Sequence, residues 1–161
     1  MSRDQKGIDP SAEIHELALI EENVEIGANT IIGPFCIIRE GAKIGSNCKL
    51  TAYCEMRENV TVGDHTSFGS RCTISANASV GSRVSVKYGF VLADTPNLQE
   101  GDNKSVGSIH DGALIGANVT LMPGFSIGKN AIIGACSQVR SNVGDHEIWY
   151  GNPAKFFKKN D

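Results

Sequence analysis

Ile26-Gly27-Ala28-Asn29-Thr30-Ile31-Ile32-Gly33-Pro34-Phe35-Cys36-Ile37-Ile38-Arg39-Glu40-Gly41-Ala42-Lys43-Ile44-Gly45-Ser46-Asn47-Cys48-Lys49 repeats itself every six residues. An aliphatic residue stands at 26, 32, 38 and 44, and a small residue, Thr30, Cys36, Ala42 or Cys48, stands four positions after each. Outward from this stretch the series runs unbroken from Ile8 through Ile14, Ile20, Leu50, Met56, Val62, Phe68, Ile74, Val80 and Val86 to Leu92. It restarts, one residue out of phase, at Ile109 and continues through Ile115, Leu121, Ile127 and Ile133 to Val139. Glycine follows the apolar residue in many hexads, as at Gly45, Gly63, Gly81 and Gly128. Asn or Gly often takes the third position after it (Asn23, Asn29, Gly41, Asn47, Asn59, Asn77). Those two residue types accept positive φ most readily, so the third position is a corner, while the apolar residue and the small residue four after it face inward.

A period of six keeps no helical face and makes no ordinary hairpin meander. Each hexad is one side of a coil, three sides close a triangle of 18 residues, and 21 hexads predict about seven coils, roughly 33 Å of prism at strand spacing. Composition agrees. The chain has 161 residues, 40% of them apolar but only 6% aromatic, and 18 glycines, which suits a narrow aliphatic core. A net charge of −3 argues against a polybasic nucleic-acid binder. There is no apolar run long enough to span a membrane, and Met1–Gly7 lacks the apolar stretch of a signal peptide, so the expected location is the cytoplasm. Cys36, Cys48, Cys54 and Cys72 occupy small inward positions and Cys136 a corner. With no Cys-x-x-Cys and an odd count, buried free thiols are expected rather than a disulfide framework.

These glycine-marked hexads, with the ending Tyr150-Gly151-Asn152-Pro153-Ala154-Lys155, resemble the hexapeptide-repeat acyltransferases, most of all the bacterial enzymes that N-acetylate nucleotide-linked amino sugars. The resemblance implies an all-β fold, a left-handed parallel β-helix of about seven coils, against the usual right-handed crossover rule. Its expected divisions are an arm at 1–7, a β-helix domain at 8–157, an excursion at 95–108 rich in turn formers and charge, and a C-terminal cap at 144–161. It also implies acyl transfer from acetyl-CoA within a homotrimer, without nucleic acid or membrane as partner. The acceptor the resemblance implies is the amine of a nucleotide-linked amino sugar, in surface-polysaccharide (O-antigen) biosynthesis.

On that expectation the CoA arm lies against Gly116, Ala117, Gly134, Ala135 and Ser137, with Lys155, Lys158 and Lys159 meeting its phosphates. Candidate bases are His65, His110 and Asp94. Residues 18 apart stack, so His65, Arg83 and Gly112 share a column beside the hexad of His110. Arg71, Asn77 and Arg83 are the expected contacts for the sugar nucleotide. Many sugar-modifying relatives carry an x-His-Pro element where the loop begins. Here it reads Asp94-Thr95-Pro96, without the histidine, which favours an amine acceptor over a hydroxyl that needs a strong base. The competing readings are O-acetylation of a saccharide and a non-catalytic assembly module. A carbonic-anhydrase-like metal site is disfavoured because no two of the four histidines lie close in sequence, and no metal is expected.

Overall fold

A computed structural model describes residues 6–99 and 105–161. Among the described residues there is no helix; two-residue strands recur every six residues and pair in parallel with the strands 18 residues before and after them. They form the three sides of a left-handed β-helix of about seven coils. Side X runs from Glu13–Ile14 through Ile31–Ile32, Lys49–Leu50, Ser67–Phe68, Ser85–Val86 and Leu114–Ile115 to Ile132–Ile133. Side Y has seven strands, from Leu19–Ile20 to Gln138–Val139, and side Z has six, from Glu25–Ile26 to Ser126–Ile127.

Every two-residue strand points one residue out and the next in, so the series Ile20, Ile26, Ile32, Ile38 and onward is buried, as is the small series four residues later. The exceptions to smallness are Phe90, fully buried, and Phe125, partly buried, near the level of the excursion. Polar residues at inward positions are satisfied. The Thr66 hydroxyl donates to Gly81 O at 2.7 Å and accepts the Val84 N–H at 3.2 Å; Thr30 does the same with Gly45 O and the Cys48 N–H. The five cysteines are free, four buried and Cys136 exposed. Hydrogen bonding to Cys54 and burial together push the Cys36 thiol well above its ordinary range.

The corners form three edges. Edge XY carries Phe35, Tyr53, Arg71, Gly89, Asn118 and Cys136; edge YZ carries Asn23, Gly41, Asn59 and Asn77; edge ZX carries Asn29, Asn47, His65, Arg83, Gly112, Asn130 and His146. All have positive φ, including the bulky side chains.

The excursion leaves edge YZ after Val91–Leu92. It is closed by the Ser105 N–H donating to Asp94 O at 3.1 Å, and the coil resumes at Ser108–Ile109. The strand thus resumes one residue before the expected end of the excursion at 108, since the outward residue before Ile109 is already strand; residues 100–104 lie outside the described residues. At the N-terminus Gly7 already belongs to the coil, its carbonyl accepting the Ile26 N–H at 3.0 Å, while residues 1–5 of the expected arm lie outside the described residues. At the other end, Glu147–Gly151 pairs in parallel with Ile132–Ile133, and Ala154–Lys159 folds back antiparallel on it. This hairpin extends side X, and Trp149 packs against the core.

Candidate functional site

On edge ZX and the coil leading to it, His65, Arg83, His110 and Asp111 come together. His65 and Arg83 occupy corners of successive coils, their N–H groups donating to Ser46 O and Asp64 O at 2.9 and 2.8 Å. Arg83 reaches up to Asp111, with Nη2 3.8 Å from Oδ2. His110 follows strand Ser108–Ile109, and its Nε2 lies 3.5 Å from the Ser108 hydroxyl. Both histidines are exposed. The edge thus offers two imidazoles and a guanidinium within about two coils, roughly 10 Å. Such a set can exchange a proton and bind an anion.

The column in which His110 sits strengthens its candidacy. Its counterparts on side Z, Gly27, Gly45, Gly63, Gly81 and Gly128, are glycine because a Cβ there would strike the next coil, at 2.2 Å from Asp111 Oδ1 in the case of Gly81. His110 breaks that column directly above Gly81, a signal that period counting alone passes over.

Asp94 lies on the other side of the prism face, at edge YZ, half-buried, its carboxylate accepting from Thr95 Oγ1 at 2.9 Å. Within one chain side Z separates it from His65 and His110. Arg71, Asn77 and Arg83 likewise do not converge within one chain. Six residues apart, they occupy edges XY, YZ and ZX in turn.

The residues expected to line the CoA arm divide into two groups. Lys155 and Lys158 are exposed on the last strand, with Lys158 Nζ 5.5 Å from the Phe157 ring centre. Gly116 and Gly134 are required by the chain itself: a Cβ on Gly116 would sit 2.6 Å from Ala135 N, and one on Gly134 would sit 2.8 Å from Tyr150 Cβ. Ala117 is half-buried beside Gly116 and Ala135 is exposed. Ser137 is turned inward, 2% exposed, with its hydroxyl donating to Gly134 O at 2.7 Å and accepting the Gly151 N–H at 3.0 Å, so it ties the hairpin to the last coil. No group of three His, Cys, Asp or Glu side chains is placed to hold a metal among the described residues.

Known proteins agree with this architecture. Over 65 residues, 40% of the chain, the sequence is 45% identical to a probable macrolide acetyltransferase of Lysinibacillus sphaericus, and over 69 residues it is 38% identical to gamma carbonic anhydrase 2 of Arabidopsis thaliana. The matched stretches span 36% and 25% of those relatives. The solved structure of AntD, an N-acyltransferase from Bacillus cereus in complex with dTDP and 3-hydroxybutyryl-CoA, superimposes over 94% of this chain and 81% of its own with a TM-score of 0.61 and 20% identity, a likeness of fold. The model described as the GMPPB C-terminal domain matches residues 3–100, and that of the bacterial transferase hexapeptide (six repeats) matches residues 107–141. With the first of these covering more than half its length, the chain belongs to the GMPPB C-terminal domain family, and it carries the bacterial transferase hexapeptide repeat over residues 107–141.

Proposed function

We propose that the protein transfers an acetyl group from acetyl-CoA to the amine of a nucleotide-linked amino sugar, as a homotrimer acting in surface-polysaccharide synthesis. The observation that carries the reading is the grouping of His65, Arg83 and His110 on one edge of a hexapeptide-repeat prism. The fold neighbour AntD, with dTDP and an acyl-CoA bound, supports a donor and an acceptor of these classes.

The thioester is already activated, so the protein's task is alignment, proton removal and stabilisation of the developing oxyanion. The acceptor nitrogen attacks the thioester carbonyl and passes its proton to His65 or His110, or to Asp94 of the excursion. The thiolate of CoA then leaves and takes up a proton. Arg83 and Arg71 supply cations for the nucleotide phosphates, with Asn77 offering an amide to the sugar, and Lys155 and Lys158 supply cations for CoA. The absence of histidine from Asp94-Thr95-Pro96 supports an amine acceptor, which is nucleophilic once neutral. The second reading, O-acetylation of a saccharide, is favoured by the 3.5 Å approach of His110 to the Ser108 hydroxyl, which orients an imidazole at the same edge.

The test is a panel of nucleotide-linked amino sugars and their hydroxyl counterparts with acetyl-CoA, followed as free thiol and by product mass. Acetylation of an amino sugar but not its hydroxyl counterpart is expected. Turnover of the hydroxyl compound alone would establish the second reading, and no turnover with any acceptor would leave an assembly module.

A further inference from the structure

The residues just before the corners of edge ZX form a column in which each side-chain oxygen caps a backbone N–H of the coil below. Ser46 Oγ accepts the Ala28 N–H at 3.1 Å, Asp64 Oδ1 the Ser46 N–H at 2.8 Å, and Ser82 Oγ the Asp64 N–H at 3.0 Å. Above them Asp111 Oδ1 accepts the Ser82 N–H and Asp145 Oδ1 the Lys129 N–H, both at 2.8 Å. One rung is missing between these two. The residue stacked on Asp111 is Lys129, whose side chain carries no acceptor, and the Asp111 N–H has no partner among the described residues.

The gap falls beside the histidine that breaks the glycine column, so two neighbouring columns depart from the repeat at one level. Together the departures set an imidazole and an unpaired N–H on consecutive residues, with His110 exposed and Asp111 half-buried. The rest of Asp111 is engaged. Its Oδ1 is held by Ser82, its Oδ2 lies 3.8 Å from Arg83 Nη2, and its carbonyl accepts the Asn130 N–H at 2.9 Å. The N–H groups on either side are bonded as well, that of His110 to Ile127 O and that of Gly112 to Ser82 O, each at 2.9 Å. The unpaired donor is therefore fixed in direction by a backbone that is tied on both flanks. A donor held in this way needs no reorganisation when charge develops in front of it.

We propose that the uncapped Asp111 N–H, next to the His110 imidazole, donates the hydrogen bond that stabilises the oxyanion of acyl transfer. This rests on the acyl-transfer reading above and adds the donor which that reading leaves unassigned. The acceptor atom forms a bond to the thioester carbonyl carbon, the C=O electron pair moves onto the oxygen, and that oxygen accepts the Asp111 N–H. The acceptor's proton passes to His110. As the pair returns to remake the C=O bond, the C–S bond breaks, its electrons leave on sulfur, and the CoA thiolate takes the proton back. The assignment holds for an amine or a hydroxyl acceptor, since both attack the same carbonyl. Lys129 touches neither substrate nor donor in this scheme; it matters because it does not occupy the N–H as a serine or aspartate would.

The test restores the missing rung. Lys129→Ser places a hydroxyl where Ser46 and Ser82 already cap the coils below them, and Lys129→Ala removes the lysine without adding an acceptor. Both are assayed with acetyl-CoA and whichever acceptor the wild type acetylates, and hydrogen exchange of the Asp111 amide is followed by NMR. In Lys129→Ser the Asp111 amide is expected to exchange at least about tenfold more slowly than in the wild type, at an unchanged or higher melting temperature. Its kcat is expected to fall about 100-fold or more at unchanged KM for acetyl-CoA, while Lys129→Ala keeps the wild-type kcat. Slowed exchange with full activity overturns the proposal. Equal losses in the serine and alanine variants overturn it too, because they assign the effect to the lysine. Exchange that the serine leaves unchanged shows that the N–H is not open to an acceptor, which also refutes it. A wild type that acetylates no acceptor overturns the acyl-transfer reading itself, and the donor's role falls with it.

Discussion

Asp111 holds Ser82 across the excursion: its Oδ1 accepts the Ser82 backbone N–H at 2.8 Å, although the two residues are 29 positions apart. The equivalent bond one coil pair below, from the Ser46 N–H to Asp64 Oδ1, spans 18 positions. The difference, 29 − 18, is eleven residues inserted into an otherwise undisturbed lattice. Deleting residues 95–105 restores the six-residue step from Leu92 to Ile109 but brings Val106 to the positive-φ corner three after Leu92, so the deletion is combined with Val106→Asn. The deletion variant is expected to fold with a melting temperature near that of the wild type, because the inward series at Leu92 and Ile109 is kept in step, and to lose acceptor turnover. Full activity in the shortened chain would show that the excursion has no part in the reaction.

Gly33 lies so close to the coil above that an added Cβ would meet Thr51 O at 1.4 Å, an atom of the backbone that cannot swing aside. Gly124 differs: its φ is +84°, but the nearest atom to an added Cβ is Ser105 Cβ at 3.5 Å. Gly33→Ala is therefore expected to cost about 3 kcal/mol or more by forcing two coils apart. Gly124→Ala carries only the left-handed penalty, about 1–2 kcal/mol. Denaturant midpoints of the two variants give the comparison, and equal losses would mean that conformation, not packing between coils, selects glycine in this repeat.

The guanidinium of Arg39 bridges three coils on side Y, bonding Glu21 at 2.9 Å through Nη1 and Glu55 at 2.7 Å through Nε. The bond from Arg39, with the Glu40 N–H second, holds the Glu21 carboxyl below its ordinary value of 4.5. A lowered carboxyl pKa contributes stability that is present above the ordinary value and lost as pH falls through the lowered one. Arg39→Gln is thus expected to be less stable than the wild type at neutral pH, with the gap closing below pH about 4 and narrowing in high salt. Urea unfolding at pH 7 and pH 3 checks this. A gap that stays constant with pH would assign the loss to packing of the arginine stem.

Much of this fold was legible because inward and corner positions are set by the same six-residue step. The period placed turns at Phe35, His65 and Arg83 although none of those residue types prefers φ > 0, and all three have it. The same arithmetic, carried one step further, separates Arg71, Asn77 and Arg83 onto three edges, since residues six apart can never share one. The hairpin was harder to read. Lys155, Phe156, Phe157 and Lys158 are all exposed, so the last strand has no buried face to set an alternation. Gly116 and Gly134 were ambiguous for a different reason, because a glycine that admits a ligand and one that admits the next coil leave the same mark in the sequence. Only the position of Ala135 N and Tyr150 Cβ distinguishes them.

The proposed chemistry makes separate demands on donor and acceptor groups, and kinetics can tell them apart. Lys155 stands exposed on the last strand, so Lys155→Glu reverses a charge at the proposed site of the CoA phosphates without touching His65, Arg83 or His110. Its expected effect is a raised KM for acetyl-CoA, corresponding to about 1–3 kcal/mol, with kcat little changed. For the base, His65→Asn keeps a residue suited to the left-handed corner, and His110→Ala restores a small residue to a column built for glycine, so neither disturbs the coil. If either histidine takes the proton, its variant loses about 100-fold or more in kcat at unchanged KM for acetyl-CoA. Asp94→Asn tests the carboxylate in the same way. A loss confined to Asp94→Asn moves the base to the excursion. Near-full activity in all three variants would mean that alignment and the amine's own basicity account for the rate, leaving these side chains to bind rather than to transfer a proton.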